Sequence, residues 1–146
     1  MNKQTPIQIK EKPWGREIWF ANIAGYAGKI LEIKKGKRLS LQYHEKKVET
    51  QYLLSGKVIL HVGKDRDNLE KVILNPGDKN DIFPYTIHRL EGLEDSEIFE
   101  VSTSELEDII RIEDDYGRPK KGNHEELDKK LSQKLNKNIF KKNKII

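Results

Sequence analysis

Cysteine is absent from the 146 residues, which excludes disulfides and thiolate metal sites and is compatible with a reducing compartment. Long apolar runs are absent too: none approaches the roughly 20 residues that a membrane-spanning helix requires. The opening segment MNKQTPIQIKEK lacks the apolar stretch of a signal peptide. A cytoplasmic location with no membrane association is therefore expected. Aromatic residues make up only 8% of the chain, and no stacking series of them accompanies its basic residues. Nucleic acid is accordingly not an expected partner.

What is abundant is charge. Charged residues form 36% of the chain against 35% apolar, the balance of a soluble domain with a highly charged skin. The formal net charge of +4 is unevenly placed. Nine lysines after Arg118 face only Glu125, Glu126 and Asp128, a net of +6, so residues 1–118 carry about −2. This divides the chain into a body, residues 1–118 including an N-terminal arm, and a basic tail, residues 119–146, either helical or disordered. Leu127, Leu131, Leu135 and Ile139 fall four apart in the tail. On a helix that spacing makes a narrow apolar stripe, able to pack on the body, pair with another chain or fray.

From Glu17 to Val101 the body reads as short β-rich runs separated by turn signals: EIWFANI, GKILEIKKG, RLSLQYH, ETQYLLSG, KVILHVG, EKVILNPGD, DIFPYTIHRL and SEIFEVST. Turns about every ten residues, with no helical period between them, predict an all-β sandwich or barrel.

Within this pattern the stretch GKRLSLQYHEKKVETQYLLSG, residues 36–56, holds Gln42, His44 and Glu49. Gln42 and His44 are two apart and share a strand face. The four residues before Glu49 allow a tight reversal that returns its carboxylate beside them. His88 arrives later as a fourth candidate. Mixed N and O ligands on strands suit a first-row divalent ion with open positions. His61 and His124 fall outside this pattern. Alternation also places Arg38 and Ser40 on the ligand face and Leu39, Leu41 and Tyr43 on the other. Those three apolar residues should be covered, by the N-terminal segment with Trp14, by the 105–118 segment or by a second subunit, and the last of these is an argument for a homodimer.

The spacing Gly36-x5-Gln42-x-His44-x4-Glu49-x6-Gly56 resembles the first motif of the cupin superfamily, with Gln in place of its first histidine, and Pro84…His88 resembles the second. KPWG at 12–15, RLSLQYH at 38–44, LSG at 54–56, HRLE at 88–91, FEV at 99–101 and RIEDDYGR at 111–118 together are similar to the C-terminal cupin domain of type II phosphomannose isomerases. Two departures stand out. Glu45 and Lys46 replace a longer histidine run, and Pro84-Tyr-Thr-Ile-His88 is one residue short and lacks a glycine, so the loop before His88 must turn differently.

The resemblance implies an all-β double-stranded β-helix (jelly roll) with a short C-terminal helical tail. It also implies one divalent ion on Gln42, His44, Glu49 and His88, zinc first, with manganese, iron, cobalt or nickel as alternatives. The implied activity is aldose–ketose isomerisation of a phosphorylated sugar, mannose 6-phosphate to fructose 6-phosphate. A non-catalytic sugar or sugar-nucleotide binding cupin is the alternative. The ion would act as Lewis acid and template for moving a proton between adjacent carbons. Lys47, two residues before Glu49, is the expected proton shuttle, its pKa lowered by burial beside a cation. Arg89 is expected beside Lys47 in the catalytic set and Lys29 and Arg38 in substrate binding, each a candidate for holding phosphate or sugar hydroxyls, although strand alternation turns Arg89 away from the side of His88. Trp14 is expected in the core or a dimer contact, and residues 114–118 as a structural clasp.

Overall fold

The computed structural model describes residues 3–144, with side-chain surroundings to residue 135. One sheet runs, in spatial order, β1 (Gln8–Lys12), β2 (Gly15–Ile23), β3 (Tyr26–Ile33), β10 (Ser96–Ser102), β5 (Glu49–Ser55) and β8 (Lys79–Ile82). The other runs β11 (Ile110–Glu113), β4 (Leu41–Tyr43), β9 (Ile87–Gly92), β6 (Val58–Gly63) and β7 (Glu70–Leu74). All pairings are antiparallel, and from β3 onward nearly every connection crosses between the sheets, which is a jelly roll. The helix α1 (Glu125–Lys144) follows. No helix among the described residues is long and apolar enough to cross a membrane.

Period-2 alternation explains the burial. In β3, β5 and β10 the inward positions are Ala27, Lys29, Leu31, Ile33; Glu49, Gln51, Leu53; and Ser96, Ile98, Glu100. One end of the interior is apolar, with Trp14, Leu31, Ile33, Leu53, Val58, Leu60, Leu74, Leu90 and Ile98 in one cluster. The other end is charged. There the register aligns Lys29 with Glu100 and Glu100 with Gln51, and the facing sheet aligns Arg111 with Gln42 and Gln42 with His88. The site is thus built from the polar ends of strands whose opposite ends form the core.

Two expectations change. Residues 38–40 are not regular strand, so the simple alternation from Arg38 to His44 fails. Leu39 packs inward against the core cluster, Leu41 is buried, and Tyr43 is half-buried under Tyr85. Apolar surface is left exposed elsewhere, part of it on the outside of the six-stranded sheet. Ile9, Ile18, Ile30, Phe99 and Tyr52 are cross-strand neighbours in one row, with Phe20 edge-on to Phe99 at 5.8 Å.

The tail helix docks on β1. Leu127, Leu131 and Leu135 are half-buried, while the side chain of Ile139 lies outside the described residues. Residues 114–118 form the expected clasp: Arg118 pairs with Asp114 at 2.9 Å, and the Tyr116 hydroxyl donates to the Arg38 carbonyl at 3.1 Å.

Candidate metal centre

His44 follows the end of β4, Glu49 opens β5, and His88 sits in β9 directly opposite Gln42. All three are buried, and one ligand atom from each lies within 4.8 Å of the other two. Glu49 Oε1 stands 3.2 Å from His44 Nε2 and 3.2 Å from His88 Nε2. The outer ring nitrogens are already engaged. His44 Nδ1 is 2.6 Å from the Asp108 carbonyl and His88 Nδ1 is 2.9 Å from the Thr86 carbonyl. A carbonyl only accepts, so both Nδ1 atoms donate, and in the neutral rings both Nε2 atoms present lone pairs.

Three acceptors therefore converge with no donor between them, and His88 Nε2 is buried without a hydrogen-bond partner. Such a point calls for a cation. Two ligands each 2.0–2.1 Å from a tetrahedral ion would stand about 3.3 Å apart, close to the separations seen. The residues fit a divalent metal. Gln42 lies beside His88 in the strand register, its amide oxygen accepting from Ser40 Oγ at 2.7 Å. Its second lone pair remains for an ion.

The loops that carry these ligands are tied by groups whose role is invisible in local sequence. Asp108 accepts from the backbone nitrogens of Glu45, Lys46 and Lys47 at 3.0, 2.7 and 2.9 Å, fixing the reversal between His44 and Glu49. Burial pushes its pKa up, but these three N–H groups and His44 leave it lowered overall. The short loop before His88 turns at Tyr85, whose φ of 61° is left-handed. That conformation costs a non-glycine residue about 1 kcal/mol. The Tyr85 nitrogen donates to the His44 carbonyl at 2.7 Å, and its ring stacks on Tyr43 at 5.9 Å, so the strained residue joins two ligand loops.

Lys47 is buried and aimed at the cluster, its Nζ 3.0 Å from Glu49 Oε2 and 3.5 Å from Glu100 Oε2. Its titration differs from expectation. Burial pulls the ammonium pKa down, yet Glu100 and Glu49 together more than offset this, and the pKa is raised. Glu100, a second carboxylate facing inward, has a raised pKa because of burial and the neighbouring Glu49.

Lys29 also points inward, 3.3 Å from Glu17 Oε1 and over the Trp19 ring at 4.6 Å. Arg38 and Arg89 are not drawn to the cluster. Arg38 forms a bidentate pair with Asp115 at the rim (2.6 and 2.9 Å). Arg89 follows His88 on the opposite strand face, donating to the Leu39 carbonyl at 3.0 Å under residues 113–115. His61 pairs with Glu91, away from the site.

Glu17 is a buried carboxylate that sequence reasoning did not single out. Burial raises its pKa, but Lys29, Lys12, the Trp19 N–H and Lys47 bring it down from 4.5 to about 2. A depressed carboxylate stabilises the fold fully above its unfolded pKa, and that contribution is lost as the pH falls through the folded one. Acid unfolding should therefore lose about 3 kcal/mol between pH 4.5 and 2 on account of this residue. Glu17→Gln should flatten that limb in urea titrations run across the range; an unchanged limb would refute the assignment.

Residues 2–114 match the family model described as Mannose-6-phosphate isomerase C-terminal. The chain belongs to that family. Its fold is the cupin fold, shared with solved structures at low sequence identity. KdgF from Halomonas sp. superposes with a TM-score of 0.59 at 20% identity, covering 71% of this chain and 92% of that one. Oxalate decarboxylase from Lactobacillus farciminis gives 0.62 at 20% identity, covering 73% and 33%. The capsular polysaccharide assembling protein CapF from Staphylococcus aureus gives 0.58 at 17%, covering 80% and 33%. The chain thus spans about a third of the last two. No curated protein matches it in sequence.

Proposed function

We propose that the protein is a metal-dependent isomerase that interconverts a phosphorylated aldose and ketose, with mannose 6-phosphate and fructose 6-phosphate the first pair to test. The observation that carries this is Lys47, a buried ammonium directed at the His44–Glu49–His88 cluster and flanked by a second inward carboxylate, Glu100. His44, Glu49 and His88 would hold the ion, with Gln42 as fourth ligand and zinc as the first candidate. When bound, the metal supplies Lewis-acid polarisation of the sugar carbonyl. Lys47 holds a proton at Nζ where transfer between adjacent sugar carbons would need one, and Glu100 stands within reach to exchange it. Lys29 offers a further cation to the substrate. A cytoplasmic location and a homodimer belong to the same proposal, the surface for the dimer being the Ile9–Tyr52 row.

Binding without turnover is the second function to weigh. The grip of two carboxylates on Lys47 favours it, as does the small free volume beside the cluster, about 40 Å³. A coupled isomerase assay on zinc-loaded protein across hexose and pentose phosphates separates the two. Turnover that falls at least about 100-fold in Lys47→Ala, as for loss of a general acid or base, supports the isomerase. Absence of turnover on every sugar phosphate, with binding retained, selects the binding protein.

A further inference from the structure

The charged end of the barrel holds a cavity of about 40 Å³ whose lining includes Lys12, Lys29, Lys47, Arg111 and Arg118, with Gln42 standing between Arg111 and the metal ligand His88 in the strand register. A water needs about 10–15 Å³ by this measure, so the space holds roughly three waters, near the bulk of one phosphate group. Four of the five cations have carboxylate partners. Lys12 and Arg118 meet Asp128 at 2.9 and 3.5 Å, Arg118 also meets Asp114, Lys29 meets Glu17, and Lys47 meets Glu49 and Glu100.

Arg111 is the exception. It is 6% exposed, pairs with no carboxylate among the described residues, and its Nε is buried with no acceptor. Its Nη1 donates to the carbonyls of Pro119 and Gly122 at 3.0 and 2.7 Å. These neutral partners position the guanidinium without balancing its charge. Its place in the sheet is informative: Arg111, Gln42 and His88 are cross-strand neighbours in one inward-facing row.

Charge balance names the ligand. Around the cavity the five cations face five buried carboxylates: Glu17, Glu49, Glu100, Asp114 and Asp128. A divalent ion on His44, Glu49 and His88 would leave two uncompensated positive charges in a low-dielectric interior, which is costly. A dianionic phosphate restores neutrality, and Arg111 supplies the free donor that its oxygens need.

We infer that Arg111 is the phosphate-recognising residue of this cavity, holding the phosphomonoester of the ligand on the side of Gln42 away from His88. The inference rests on the proposed sugar-phosphate chemistry but concerns binding rather than turnover. It is tested by isothermal titration of the zinc-loaded full chain with inorganic phosphate, mannose 6-phosphate and mannose. The unaltered protein should bind phosphate, and phosphate should compete with mannose 6-phosphate. Arg111→Met should weaken both phosphorylated probes by about 10- to 100-fold, as expected for loss of a charged hydrogen bond, and leave mannose within about threefold. A merely structural hook for residues 119–122 would instead weaken all probes alike. If Arg111→Met does not fold, Arg111→Lys serves, because it keeps the charge and a donor for the carbonyls but lacks Nε; about a tenfold loss confined to the phosphorylated probes is expected. Failure of phosphate to bind the unaltered protein, an unchanged affinity in the variant, or an equal loss for mannose overturns the inference. Absence of turnover with Arg111-dependent phosphate binding intact would refute only the isomerase.

Discussion

Zinc added to metal-free protein is expected to raise its melting temperature by about 5–10 °C at a hundredfold excess over the dissociation constant, and His44→Ala should abolish the rise. The expectation follows from the three buried acceptors around one point, two imidazole Nε2 atoms and Glu49 Oε1. Among the described residues Lys47 is the one ammonium paired with Glu49, and it contacts the other oxygen. An ion that binds the folded state and not the unfolded chain shifts the equilibrium toward folding. Loss of a direct ligand should cost more than the 10- to 100-fold typical of outer partners. His61→Ala is the control, since that ring pairs with Glu91 and lies away from the site. An equal rise in His44→Ala would place the ion elsewhere; no rise in the unaltered protein would remove the metal from the proposal. Calorimetric scans with zinc, manganese and chelator decide both points.

The parts of this centre that were legible in sequence are those set by local periodicity. His44 and Glu49 are separated by a four-residue reversal, and the runs 49–56, 57–63 and 96–103 correspond to β5, β6 and β10 nearly to the residue. Lys47 was legible as a side chain aimed at the site because it stands two residues before Glu49 on the same face. Its charge state was not, because that depends on Glu100, which β10 delivers from 53 positions away. The run 38–44 failed in a different way. Only Leu41–Tyr43 forms strand, and the chain before it is held by contacts to Leu90 and Gly92, so period-2 counting misplaced Arg38 and Leu39. The edge strands β1 and β11 were missed outright: QIKEK carries little apolar signal, and IRIE, though it alternates, is only four residues long. β11 owes its inward Arg111 to pairing with Gln42, a register that no window of the sequence reports. The Asp108 carboxylate, likewise, accepts from backbone groups some 60 residues earlier.

Asp128→Ala should destabilise the fold by about 3–5 kcal/mol, the usual result of stripping one partner from a buried ion pair. Asp128 lies in the first turn of α1 with 0% exposure, and its carboxylate meets Lys12 Nζ at 2.9 Å and Arg118 Nη1 at 3.5 Å. Lys12 is itself buried and has no other carboxylate partner among the described residues, so the substitution strands an ammonium inside the barrel end. The helix N-terminus adds to the preference for an anion there. Because the pair is buried, the loss should persist in high salt, unlike that of exposed neighbours such as Lys129–Glu126. Glu126→Ala, at a side chain 82% exposed, should change stability by less than about 0.5 kcal/mol. Urea unfolding of the two variants at low and high salt makes the comparison. Lys12→Met together with Asp128→Leu provides the sharper contrast: removing both charges should recover much of the loss, since an apolar pair of similar volume is often as stable as the ions it replaces. If Asp128→Ala unfolds no earlier than Glu126→Ala, the buried Asp128 pair does not anchor the helix, and the half-buried Leu127, Leu131 and Leu135, with the outer Lys10–Glu125 pair at 3.1 Å, must hold it against β1.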